Sequence, residues 1–111
     1  MKREKILKLN KEISDFFDKE CEAYTRDFPL WKIFEKVIDM EDGYSCLIEG
    51  SLLFDVRLIT GAEHMGMREE WDEVNIANVT IEAFEIRDSD GNIDSEKSEN
   101  VFCALKAIGT F

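Results

Sequence analysis

The sequence predicts an α+β fold: an N-terminal amphipathic helix packed on a twisted antiparallel sheet built around two long strands, with a short C-terminal helix. Three stretches carry this prediction. From Tyr44 to Ile59, every second residue (Tyr44, Cys46, Ile48, Gly50, Leu52, Phe54, Val56, Leu58) belongs to one apolar row. Side chains alternate across a strand, so this row forms a single face suited to a core. The other row, Ser45, Leu47, Glu49, Ser51, Leu53, Asp55, Arg57 and Ile59, is mixed, as in a sheet covered on one side only. Residues 74–87, VNIANVTIEAFEIR, supply a second β-branched run. Residues 3–26 repeat Ile6, Leu9, Ile13, Phe16, Phe17 and Tyr24 at helical steps, with Cys21 beside the stripe.

The remaining elements follow in chain order. Phe28-Pro29 ends the first helix, because a residue before proline is driven out of the helical region. Residues 29–36 are expected as a short second helix, capped by Asp27 with Pro29 in its first turn, and then an extended segment leads to Asp39; the alternative is a strand through 29–40, which the row Trp31, Ile33, Glu35 and Val37 fits less well. Glu41-Asp42-Gly43 is expected to turn the chain into the long strand, and Gly50 marks a bulge or bend within it. Residues 60–73, TGAEHMGMREEWDE, are expected as an irregular loop joining the two strands. The apolar phase of 74–87 slips: Val74 and Ile76 share one parity, Val79 and Ile81 the other, and Phe84 and Ile86 the first again. A one-residue step flips every side chain, so a bulge is expected near Ala77-Asn78. Asp88-Ser89-Asp90-Gly91-Asn92 is a turn. Residues 95–108 then read as a helix with Val101, Phe102, Leu105 and Ile108 on one face and Gly109 as its stop, or alternatively as a final strand.

With 111 residues the chain is read as one domain, and 44% hydrophobic residues suit a packed core. No apolar run reaches the length of a membrane span, and the N-terminus lacks the apolar stretch of a secretory signal, so a cytoplasmic location is expected. Cys21, Cys46 and Cys103 are odd in number and widely spaced, which reads as reduced thiols rather than a disulfide framework or zinc knuckle. The net charge of −11 is uneven. Residues 1–36 hold 9 basic against 8 acidic side chains, and residues 37–111 hold 5 against 17. Phosphate contacts need Lys and Arg, so nucleic acid is not an expected direct partner. A protein with a basic surface is, because opposite potentials steer encounter.

The search for chemistry returns little. An EF-hand alignment that places Gly91 at position six puts Asp88 and Asp90 at three and five, but Ile86 and Lys97 fall where the first and the bidentate ligands belong. His64 with Glu63, Glu69 and Glu70 is a thin metal set and reads as a solvated histidine. Neither a nucleophile motif nor a phosphate-binding glycine loop is present, and no cofactor is expected. Over residues 74–94, the strand ending in D-S-D-G-N resembles small proteins of bacterial phages and mobile elements, and this resemblance implies no activity. The resulting expectation is a non-enzymatic acidic binding protein that modulates or inhibits a protein with a basic surface. Glu69, Glu70, Asp72, Glu73, Glu82 and Glu85 would supply charge, and Met65, Met67 and Trp71 apolar anchors. The alternative is a self-associating assembly subunit, a homodimer joined through Leu47, Leu53 and Ile59 on the mixed row.

Overall fold

The computed structural model describes the backbone of residues 3–40, 43–64 and 67–111, and the side chains of these residues except 62–69. Helix α1 (Arg3–Ala23) comes first, followed by β1 (Trp31–Asp39), β2 (Ser45–His64), β3 (Met67–Arg87) and α2 (Ser95–Ala107). The strands form one antiparallel sheet in the order β1-β2-β3, and the α+β class is the one expected. The expected Glu41-Asp42-Gly43 turn falls partly outside the described residues; Gly43 itself takes φ 77°.

Helix α1 buries Ile6, Leu9, Ile13 and Phe17, spaced by three or four residues. It ends three residues earlier than the periodicity suggested, where a turn closes with Phe28 N–H donating to the Thr25 carbonyl at 3.0 Å. Residues 31–39 form a strand, not the expected helix. Phe34 and Ile38 are buried while Ile33 and Val37 are exposed, so the apolar residues that suggested a helical stripe are divided between two faces. A full ladder against β2, from Trp31↔Leu53 to Asp39↔Ser45, overrides the local preference.

Of the expected loop at 60–73, the described residues 60–64 and 67–73 are also strand. β2 continues to His64 and β3 begins at Met67, with a register shift between Thr60 and Glu63. Alternation of Leu58, Thr60, Glu70 and Asp72 carries too little apolar contrast to reveal a strand in sequence. A strand of twenty residues is about 66 Å long, which matches the longest dimension of the molecule, 61 Å. The hairpin therefore sets the length of the whole structure.

The phase slip in β3 resolves into a pair of bulges. Leu53 pairs with Asn78 and Phe54 with Ile76, leaving Ala77 extra, as anticipated. Glu49 pairs with Ala83 and Gly50 with Ile81, leaving Glu82 extra. Each bulge absorbs one residue, so Val74, Ile76, Val79, Ile81, Phe84 and Ile86 all return to the face shared with Ile48, Leu52 and Phe54. Gly50 permits the second bulge: a Cβ there would lie 2.0 Å from the Thr80 carbonyl oxygen.

Both helices lie on that apolar face. Phe34 meets Phe16 and Phe17 at ring-centroid separations of 5.7 and 5.6 Å, Phe54 meets Tyr24 at 4.9 Å, and Phe84 meets Phe102 at 5.3 Å. Helix α2 is fixed at its start, where the Asp94 side chain accepts from Lys97 N–H at 3.0 Å. Buried Ser98 Oγ accepts from Ile86 N–H at 2.7 Å and donates to the Asp94 carbonyl at 2.6 Å, tying α2 to β3. In the preceding turn one Asp88 oxygen accepts from Asp90 and Asn92 N–H, both at 3.0 Å, and Gly91 takes φ 85°. No helix among the described residues is long and apolar enough to cross a membrane.

Gly50→Ala is expected to lower stability by about 1–3 kcal/mol, because the clash is with backbone rather than a movable side chain. Gly91→Ala, with open space but positive φ, is expected to cost about 1–2 kcal/mol. Urea unfolding of both variants checks this, and an unchanged midpoint for Gly50→Ala contradicts the bulge account. Burial pushes the Cys46 thiol from an ordinary 9.0 up to about 12. A folded pKa raised above the unfolded one gives stability that is complete below pH 9.0 and lost as pH rises toward about 12. Native Cys46 should therefore resist iodoacetamide at about pH 8.5 while exposed Cys103 reacts. Mass spectrometry of the alkylated native protein reads the difference.

Candidate protein-docking face

With both helices on one side, the opposite side of the sheet is uncovered. Its rows are the odd-numbered residues of β1 and β2, joined on β3 by Trp71, Glu73, Asn75, Asn78, Thr80, Ala83, Glu85 and Arg87. Five large apolar side chains on it are exposed: Ile33 by 69%, Trp31 by 56%, Val37 by 55%, Trp71 by 50% and Leu53 by 44%. The register groups them. Trp31 is opposite Leu53 and Val37 opposite Leu47; between these pairs Glu35 is opposite Glu49. Directly opposed residues share a face, with Cβ atoms about 5 Å apart, and like charges placed so destabilise the ladder. Neither carboxylate takes an ion pair or side-chain hydrogen bond among the described residues. The arginines of this face are already engaged by neighbours on their own strands, Arg57 with Asp55 at 3.1 Å and Arg87 with Glu85 at 2.8 Å.

The face continues to a free sheet edge. Among the described residues β1 pairs only with β2, so its outer backbone groups have no strand neighbour there. Its lysines lean toward α1: Lys32 donates to Glu20 at 2.5 Å, and Lys36 lies 5.4 Å from the centroid of the Phe16 ring. Beside the start of β1 is a mostly apolar hollow of about 170 Å³, bordered by Tyr24, Phe28, Pro29, Trp31 and Phe54. A cavity of about 150 Å³ admits benzene, so this one has room for one aromatic or branched side chain.

The residues chosen from sequence are not gathered here. Met65 lies outside the described residues, as do the side chains of Met67 and Glu69 and those of Glu63 and His64, the histidine read as solvated. Trp71, Glu73 and Glu85 are on the open face, whereas Glu70 and Asp72 belong to the opposite row. Glu82 occupies a bulge, beside a groove it shares with Ser95 and Glu99 of α2. Glu70 and Glu85 are roughly 50 Å apart along β3. Asp72 is bound in a two-pronged pair with Arg26, at 2.5 and 2.8 Å. Among the described residues no group of three or more His, Cys, Asp or Glu side chains could hold a metal ion.

The sequence reading missed Trp31, Ile33, Glu35 and Val37. Their signal was the odd-position row of W-K-I-F-E-K-V-I-D, obscured because Phe34 and Ile38 are also four apart. The opposition of Glu35 and Glu49 depends on register and has no local signal.

The hydrogen bonds and charge of Arg26 hold the Asp72 carboxyl below its ordinary range. A depressed folded pKa gives stability present above the ordinary carboxylate range and lost as pH falls through the folded value. Both groups are exposed, so screening keeps the contribution small. In an NMR titration Asp72 should ionise at lower pH than in Arg26→Ala, and the gap should narrow in about 1 M NaCl. Comparison of the chain with family models, with curated proteins and with solved structures finds no match.

Proposed function

We propose that this chain is a non-enzymatic protein-binding module whose open sheet face docks a partner with a basic surface, thereby modulating or inhibiting that partner. One observation carries the reading: large apolar side chains are left exposed on one uncovered face of a chain with net charge −11. Contact sites commonly combine an apolar centre with a polar rim. Here Trp31, Ile33, Val37 and Leu53 supply the apolar contact, Glu35 and Glu49 place negative charge among them, and Asp39 and Glu73 add more on the same face. The charge draws a basic partner in, and the apolar centre retains it. A cytoplasmic location belongs to the same reading.

The test is capture from a nuclease-treated bacterial lysate at low and high salt, followed by affinity measurement on the captured protein. A basic partner should be retained at about 0.1 M salt and released near 1 M. Ile33→Asp combined with Val37→Asp, both at exposed positions, should weaken it by about tenfold or more, roughly 1.4 kcal/mol. Equal affinity of this variant rejects the face. The second reading is a self-associating assembly subunit, favoured by the same exposed apolar row. Light scattering decides it: a monomer at every concentration excludes it, and a salt-resistant dimer supports it.

A further inference from the structure

We propose that the partner binds by strand addition: an extended segment joins the free edge of β1 as a fourth strand, setting a Lys or Arg opposite Glu35 and apolar residues opposite Ile33 and Val37. This rests on the protein-binding reading and specifies its mode.

The edge is available. Nine residues, Trp31–Asp39, present about 30 Å of backbone with no strand beyond them among the described residues. Exposed edges of this length are commonly blunted by lysines reaching over them. In β1 both lysines are instead engaged on the α1 side, Lys32 by Glu20 and Lys36 by the Phe16 ring. There is also room. Between α1 and β1 runs a shallow groove of about 340 Å³, bordered by Asp15, Phe16, Lys19, Lys36 and Asp39, which would accept the added strand's inner row.

The outer row sets the partner's chemistry. Along the open face β1 reads Trp31, Ile33, Glu35, Val37, Asp39, in which apolar positions surround one central carboxylate and a second closes the row. Cross-strand neighbours favour apolar against apolar and opposite charges against each other. The matching strand therefore alternates, with a basic residue at its centre and apolar residues two positions to either side. Glu49 strengthens the choice, because it adds a second unpaired carboxylate behind Glu35. A cation there relieves a repulsion that the free protein carries. At the Trp31 end, the hollow beside Phe28 and Pro29 takes an apolar side chain from the segment's end.

A second copy of this chain does not fit that row. Full-length antiparallel pairing of β1 with itself would centre on Glu35, placing Glu35 against its own symmetry mate with a Glu49 behind each. Four carboxylates would crowd the axis between two molecules of net charge −11 each. The geometry therefore points to a different, basic chain.

The test uses isotope-labelled full-length protein and three synthetic peptides of nine residues. One alternates valine and threonine around a central arginine, the second has glutamate at the centre, and the third is the arginine peptide with alternate amides N-methylated. Expected are amide shift changes concentrated in residues 31–39, binding of the arginine peptide at least tenfold tighter than the glutamate peptide, and loss with N-methylation. Glu35→Arg, an exposed substitution, should reverse the preference between the first two. No binding of the arginine peptide at millimolar concentration overturns the proposal, as does equal binding of the glutamate or N-methylated peptide, or an unreversed preference in Glu35→Arg. Sedimentation of the protein alone adds a further arm, and a salt-resistant dimer with β1 amides protected also overturns it. If the peptides fail while a captured basic protein is lost on Ile33→Asp with Val37→Asp, strand addition is wrong and the docking face stands; failure of both removes the function as well.

Discussion

The β2–β3 ladder depends on two residues that do not pair. Without Ala77 and Glu82 bulged from β3, its apolar side chains would divide between the sheet's faces in three blocks. With the bulges they form one continuous row against Ile48, Leu52 and Phe54. That row gives α1 and α2 a common surface, so the position of both helices follows from it. Gly50 lies at the centre of this arrangement, where the β3 backbone approaches too closely for any side chain.

Placing both helices on one face has a structural cost on the other. The core gathers Ile13, Ile48, Leu52, Ile86, Val101 and Leu105 on the covered side, all almost wholly buried. The open side keeps its apolar residues in water and opposes Glu35 to Glu49. A chain optimised only for stability would place a lysine at one of those positions, as cross-strand pairing favours. Both carboxylates and the exposed Trp31 and Ile33 are the features on which the proposed docking face rests. Acidic composition by itself serves solubility equally well, and it is the exposed apolar side chains beside these carboxylates that distinguish this face.

The small contacts at the periphery have a consistent role. Lys32 and Lys36 bind back to Glu20 and Phe16, fastening β1 to α1 while leaving its edge clear. Phe111 stacks against Phe102 and meets Phe84, while Thr110 Oγ1 donates to Asn10 at 2.5 Å, bringing the chain's last residues onto the helical layer. Lys97 lies 3.6 Å from the centroid of the Tyr44 ring, joining α2 to the start of β2. All of these reinforce the covered side.

By itself the sequence determined the α+β class, the N-terminal helix except for its end, which it put at 26, the covered row of β2 and the bulge near Ala77, because each is written in local periodicity; residues 95–108 it left open between a helix and a strand. It also marked Leu53 as an apolar residue on the mixed row. It did not reveal β1, since Leu30, Ile33, Phe34, Val37 and Ile38 satisfy helical spacing as well as a strand with both faces apolar. Nor did it reveal the strand at 60–64 and 67–73, where mostly polar side chains leave no alternation to read. The opposition of Glu35 to Glu49 arises from strand register, which long-range pairing sets. Only the tertiary structure could place β1 at the sheet edge with its apolar row facing water, because exposure depends on which face the helices cover.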